Sequence, residues 1–291
     1  MPSLKDRLID PNSPQKRPRR AAYALPTLFT AGNIFLGFIA ILRSFEAAMQ
    51  AAGGHTGPND NLAVAAKAIG AAVVLDGLDG RIARMTNTVS DFGREMDSLA
   101  DVITFGIAPA VLAYTWGVQF VQPSPILPDH RAGYFIAFLF LLCGAARLAR
   151  FNVQTNPVPK NPGRPDRKYF VGLPIPAAAG MVAAIVFATE GEPLQWWFLS
   201  MLWLGLLALL AFLMVCTWRY PSFKGVNLAG PRSPLLVILF GALIYLIWNF
   251  PQPVLLGLAT AYVGGGILIR LGGVLRRRLR HSPPAPEHQV G

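Results

Sequence analysis

Charge is what this sequence has least of. Only 14% of its 291 residues are Asp, Glu, Lys or Arg, against 53% hydrophobic, and the mean hydropathy is +0.42. A soluble domain carries about 25% charged residues, so an ordinary soluble fold is excluded and a membrane protein is expected. Acids are scarcer than bases, 15 against 26 Lys and Arg, for a net charge of +11. The two cysteines, Cys143 and Cys216, sit in separate apolar stretches; buried thiols are expected and a disulfide framework finds no support. Of the four histidines, His55 in the loop AAGGHTGPNDN stands beside Gly with no metal-ligand spacing around it.

Apolar runs fill the chain instead. Eight stretches of spanning or near-spanning length cover about 25–45, 62–84, 95–120, 131–151, 173–189, 194–217, 233–249 and 253–271, against the roughly 20 residues that a transmembrane helix needs. The fold expected is all-α: a polytopic membrane helix bundle of about eight transmembrane helices, with the fifth and seventh short enough to lower the count. The bases sort by side. Residues 1–22, 81–94, 147–168, 217–232 and 270–291 hold 23 of the 26, leaving Arg43, Lys67 and Arg131 for the spans or the other face. By the positive-inside rule both termini are cytoplasmic, the number of spans is even, and the turn between the second and third stretches opens to the cytoplasm. The same sorting argues against nucleic acid as a partner, the RLGGVLRRRLRH run included.

The chain divides accordingly into a basic cytoplasmic tail (1–22), a transmembrane core (23–217), a cytoplasmic YPSFK loop with a C-terminal transmembrane pair (218–272), and a basic, Pro-rich cytoplasmic tail (273–291). Pro2, Pro11, Pro14 and Pro18 among basic residues suit a tail lying on anionic headgroups. The long basic stretch and the length of the following apolar run do not fit a cleaved signal peptide. Pro109 should kink the third span, and QPSPILPD reads as an external turn. Thr30 and Asn33 are polar groups inside the first span, placed either to bond a neighbouring helix or to face a ligand pocket.

Against this background, four carboxylates within DGLDGRIARMTNTVSDFGREMDSLAD stand out, because acids at membrane depth are costly and mark function. Asp76 and Asp79 are i, i+3; Asp97 and Asp101 are i, i+4; each pair therefore shares one helix face. Arg84 and Gly93 continue the two stripes. The polar MTNTVSDF between them, with Thr88 and Asp91 as a possible capping box, predicts an antiparallel helical hairpin. Its register sets Asp79 level with Asp97 and Asp76 level with Asp101. Four converging anions need a counter-charge, which two divalent cations would supply. All-oxygen ligands suit Mg²⁺, Mn²⁺ or Ca²⁺ rather than zinc. Gly80 and Gly93 each cost about 1 kcal/mol relative to Ala in a helix interior. With Ala83 they leave a flat surface that, beside the acids and Arg84, suits a diphosphate bearing a ring system; the alternative is simple close helix packing.

Asp76, Asp79, Gly80, Ala83, Arg84, Gly93, Asp97 and Asp101 reproduce the D-x2-D-G-x2-A-R-x8-G-x3-D-x3-D signature without a departure, and on it the chain resembles the CDP-alcohol phosphatidyltransferases. The resemblance implies a polytopic enzyme with a six-helix core, here followed by two C-terminal helices, that displaces CMP from a CDP-linked lipid with two divalent metals, Mg²⁺ or Mn²⁺. It implies Asp76, Asp79 and Asp97 as metal ligands, Asp101 as a ligand that also serves as general base, and Gly80, Ala83, Arg84 and Gly93 as contacts to the cytidine diphosphate. It further implies a homodimer in a bacterial-type inner membrane, with the site cytoplasmic.

Softer matches bear on the acceptor. LPTLFTAGN, RLARFN, FVGLPIPAAAG and RYPSFKG occur in order and resemble the phosphatidylserine synthase branch of that family, which implies CDP-diacylglycerol and L-serine as substrates, with membrane lipids around them. A carboxylate on the acceptor needs a cation, and Arg147, Arg150 and Lys224 are the candidates, for the acceptor or for donor phosphate; anchoring at the membrane edge is the plainer reading of the two arginines. Tyr220, Ser222 and Lys224 are expected on a cytoplasmic loop. Glycerol 3-phosphate, inositol phosphate or choline are alternative acceptors. A divalent cation transporter is the alternative from another class, disfavoured because no second acid pair recurs in the later half of the chain.

Overall fold

The computed structural model describes residues 20–54, 57–86, 91–122, 130–155, 169–221 and 234–280, with backbone alone at several element ends, among them Asp79, Gly80, Ala83 and Arg84. Helices dominate: α1 (Arg20–Ala52), α2 (Asp60–Thr86), α3 (Asp91–Asp101), α4 (Ala108–Tyr114), α5 (Arg131–Thr155), α6 (Ile175–Ala188), α7 (Trp197–Val215), α8 (Pro234–Asn249) and α9 (Pro251–Arg280). Two π-helical turns, Val102–Ile107 and Thr115–Gln119, join α3 to α4 and extend α4, making one continuous rod. Among the described residues, six helices are long and apolar enough to cross a bilayer: Leu28–Ala52, Asp60–Leu78, Phe92–Gln119, Arg131–Val153, Trp197–Val215 and Pro251–Arg270. The protein is therefore a multi-pass membrane protein. The two remaining stretches form the shorter apolar helices α6 and α8.

The packing of α1 explains why polar residues sit in so apolar a helix. Leu28, Phe35, Phe38, Leu42, Phe45 and Met49 recur along one face and are exposed, whereas Thr30, Asn33, Ala40, Ser44 and Ala47 recur on the opposite face and are buried. Large apolar groups face lipid and small or polar groups face protein, since lipid gives apolar side chains no reason to hide. Close approach follows. A Cβ on Gly37 would stand 2.6 Å from Thr104 Oγ1 and 2.8 Å from its Cα, and the same hydroxyl donates to the Asn33 carbonyl at 3.0 Å.

Pro109 does more than bend its helix. It has no N–H to offer the carbonyl four residues back, and the turn before it is π-helical, with the Ala108 N–H bonded to Ile103 O. The second π turn leaves carbonyls available to side chains. Ser200 donates to Gly117 O at 2.7 Å and Trp203 Nε1 to Ala113 O at 3.0 Å, which laces α7 onto this rod.

A small β-ladder closes one end of the bundle. β1 (Tyr169–Val171) pairs antiparallel with β2 (Arg219–Pro221), Phe170 opposite Tyr220. Gly172, at φ +79°, turns the chain from β1 toward α6 where a Cβ would meet Met214 O at 2.6 Å, and its N–H reaches Trp218 O at 2.8 Å. This corrects the expectation of a loop at Tyr220: the residue is the middle of a strand and has 0% exposure. The cysteines are free and half-buried rather than buried. Thr88, residues 123–129 of the QPSPILPD turn, and residues 1–19 and 281–291 of the two tails lie outside the described residues; 273–280 of the C-terminal tail continue α9.

Candidate active site

Helical spacing delivers what the acid pattern requires. Asp76 on α2 and Asp97 and Asp101 on α3 bring one carboxylate oxygen each to within 4.8 Å of one another, all three residues half-buried. Oxygens on opposite sides of an octahedral Mg²⁺ stand about 4 Å apart. Three hard, anionic donors at this spacing fit a divalent cation of that kind, whose charge would offset their mutual repulsion. The Asp79, Gly80, Ala83 and Arg84 side chains lie outside the described residues; α2 continues through them to Thr86. Gly93 is half-buried on α3.

α3 is held in place from two directions. Asn152 Nδ2 on α5 donates to Ser98 Oγ at 2.9 Å, between Asp97 and Asp101 in sequence, and Ser98 Oγ donates on to Arg94 O at 3.1 Å. From the other side, α1 packs against α3 and the π turn that follows it. Asn33 on α1 is 2% exposed, and its Oδ1 is buried with no hydrogen-bond partner among the described residues.

The candidate acceptor residues have distinct surroundings. Arg147 on α5 is only 9% exposed, lies within electrostatic reach of Asp101, Tyr262 and Arg150, and its Nε has no hydrogen-bond partner among the described residues. Arg150 spends its guanidinium on backbone: Nη1 donates to Val215 O at 3.0 Å and Nη2 to Val171 O at 3.3 Å. It thereby ties the end of α7 to β1. Lys224 and Ser222 lie outside the described residues.

Two residues that sequence reading did not assign to the site stand beside this group. Tyr220 on β2 lies with its ring over Gly266 of α9, where any Cβ would overlap it, and its hydroxyl is buried without a partner among the described residues. Tyr262 on α9 is in ring contact with Tyr220 at 6.0 Å between centroids. The sequence signals were the RYPSFKG segment, which singled out Tyr220 without giving it a role, and the glycine run at 264–266, which makes room for a ring but does not say whose.

The chain matches the model of a family described as CDP-alcohol phosphatidyltransferase over residues 23–211. It is 38% identical over 246 residues to the CDP-diacylglycerol–serine O-phosphatidyltransferase of Helicobacter pylori strain J99, covering 84% of this chain and 91% of that protein. The Bacillus subtilis protein of the same name is 33% identical over 200 residues, 69% of this chain and 91% of its own. An archaetidylserine synthase of Methanothermobacter thermautotrophicus is 32% identical over 206 residues, 70% and 72% of the two chains.

Proposed function

Because the chain belongs to the CDP-alcohol phosphatidyltransferase family, we propose that it transfers the phosphatidyl group of CDP-diacylglycerol to the hydroxyl of L-serine, giving phosphatidylserine and CMP. The observation that carries this reading is the convergence of Asp76, Asp97 and Asp101 within 4.8 Å, next to a buried guanidinium. The serine-transferring names of relatives matched over most of their length support the choice of acceptor.

Asp76, Asp79, Asp97 and Asp101 hold two divalent ions, Mg²⁺ or Mn²⁺, which when bound supply charge stabilisation to a diphosphate and its leaving group. Asp101 accepts the proton of the serine hydroxyl as the oxygen–phosphorus bond forms and the bond from phosphorus to CMP breaks. Gly80, Ala83, Gly93 and Arg84 line the cytidine diphosphate. No Ser or His occurs between Asp76 and Asp101 except Ser90 and Ser98, and Ser98 is engaged with Asn152. A single displacement with inversion at phosphorus follows.

The site opens to the cytoplasm of an inner-membrane-type bilayer. Residues 23–217 form the catalytic core, 218–272 an appended segment with the C-terminal helix pair, and 1–22 and 273–291 basic cytoplasmic tails; the enzyme works as a homodimer. CMP release by purified protein in detergent tests the reading, with CDP-diacylglycerol, Mn²⁺ or Mg²⁺, and serine, glycerol 3-phosphate, inositol phosphate or choline offered separately. Release with serine alone, abolished by chelation and by Asp101→Asn, is expected. Release with another alcohol alone would replace serine as acceptor, and no release with any would remove the transferase reading.

A further inference from the structure

The family match ends at residue 211, yet the end of the bundle near Asp101 is closed by elements beyond it. β2 carries Tyr220 and α9 carries Tyr262, and α9 packs on both β2 and α6. Arg147 lies within electrostatic reach of Asp101 and of Tyr262, and Tyr262 within reach of Tyr220, so α5, α9 and β2 send a run of three polar side chains, Arg147, Tyr262 and Tyr220, that starts beside Asp101.

Two of these groups are costly where they are. A buried hydroxyl without a partner forfeits about 1–3 kcal/mol, and Phe at 220 would cover Gly266 as well as Tyr does. A guanidinium at 9% exposure with Nε unengaged among the described residues is a cation held largely out of water. Both are hydrogen-bond donors, and burial pushes the Tyr220 phenol up to about 12, with Cys216 and Tyr262 adding to the shift. The phenol therefore keeps its proton at any physiological pH. Buried donors that remain unmatched among the described residues call for an acceptor. An anion next to an arginine and a neutral phenol meets that requirement.

We propose that Tyr220 and Tyr262 complete, with Arg147, a subsite for the carboxylate of the acceptor amino acid, so that the C-terminal segment outside the shared core sets acceptor specificity. This rests on the transfer to serine proposed above. Serine is short, with hydroxyl and carboxylate only a Cβ–Cα link apart. A carboxylate gripped by Arg147 therefore leaves the hydroxyl close to Asp101, which lies within reach of the same guanidinium.

The test compares L-serine with serinol, which replaces the carboxylate by a hydroxymethyl group, in CMP release by wild type, Tyr220→Phe, Tyr262→Phe and Arg147→Lys. Wild type should prefer serine. Tyr220→Phe should raise KM for serine about 10- to 100-fold, as expected for one hydrogen bond to a charged group, and leave KM for serinol and for CDP-diacylglycerol unchanged; Tyr262→Phe and Arg147→Lys should act in the same direction. Retained serinol turnover reports that the variants are folded. Variants that keep the wild-type ratio of serine to serinol, or that lose both acceptors together, would overturn the subsite. Wild type inactive with serine but active with another alcohol would instead overturn the reaction on which the subsite rests.

Discussion

Arg147 and Arg150 stand three residues, just under one helical turn, apart on α5 and use their charges differently. Arg150 is spent on Val215 O and Val171 O, so it acts as a fastener between α7 and β1. Arg150→Met should leave two carbonyls without their donor, at about 1–3 kcal/mol for each that stays buried. A lower midpoint of thermal unfolding in detergent, with KM for serine unchanged, is expected; an unchanged midpoint with a raised KM would assign Arg150 to the acceptor instead. The sequence RLARFN could not separate the two arginines, because their surroundings come from segments 21 to 115 residues away along the chain (Val171, Val215 and Tyr262). The acids were different. Asp76, Asp97 and Asp101 were legible because α-helical spacing alone decides which share a face. Asp97→Asn should lower CMP release at sub-saturating Mn²⁺ by at least about 10- to 100-fold, as loss of a group that supports a metal does; full activity recovered at high metal concentration would make Asp97 a dispensable ligand.

At the scale of elements, the first span and the π turn after Asp101 form one mechanical unit. Gly37 lets α1 approach Thr104, three residues beyond Asp101, so a side chain here should disturb the site as well as the fold. Gly37→Val should cost about 1–3 kcal/mol through overpacking and reduce CMP release in the surviving folded protein. Gly205→Ala is the control: nothing lies within 4 Å of a Cβ there, and replacing a helical glycine should leave stability equal or up to about 1 kcal/mol higher. Equal effects of the two on thermal unfolding would sink this account of α1. The helices themselves were readable from apolar length, within a few residues for most. α9 runs on to Arg280, past the apolar stretch, because a helix leaving the bilayer needs only good helix formers such as Leu and Arg, which LRRRLR provides. β1 and β2 were not readable. Three-residue strands gain their identity from pairing across 50 residues of sequence (Phe170 opposite Tyr220), and neither YFV nor RYP carries alternation enough to announce it. Pro109 was read as a kink; the π turn before it packs against α1 where Thr104 meets Gly37, a contact that local pattern does not contain.

For the whole molecule, two independent signals divide the ends of the bundle. The carboxylate cluster, the β-ladder and Arg147 and Arg150 gather at one end of the described bundle, and by sequence alone 23 of the 26 Lys and Arg fall in segments expected on a single side. Exposed aromatics Trp196, Trp197 and Trp248 stand at helix ends of the opposite polarity: the start of α7 and the end of α8. Such residues favour the membrane–water boundary. On the topology proposed above from the positive-inside rule, the carboxylates would face the cytoplasm, where a water-soluble cytidine nucleotide can leave. Thiol labelling checks this directly in a Cys143→Ala, Cys216→Ala background carrying one new cysteine at a time. In intact cells, an impermeant maleimide should label Gln122→Cys, an exposed position after the second π turn, and should label Ser3→Cys and Ser282→Cys only after permeabilisation. Labelling of the two terminal positions in intact cells would invert the topology. The acids would then face away from the compartment that supplies the nucleotide, and transfer from CDP-diacylglycerol would no longer be tenable as the function of this site.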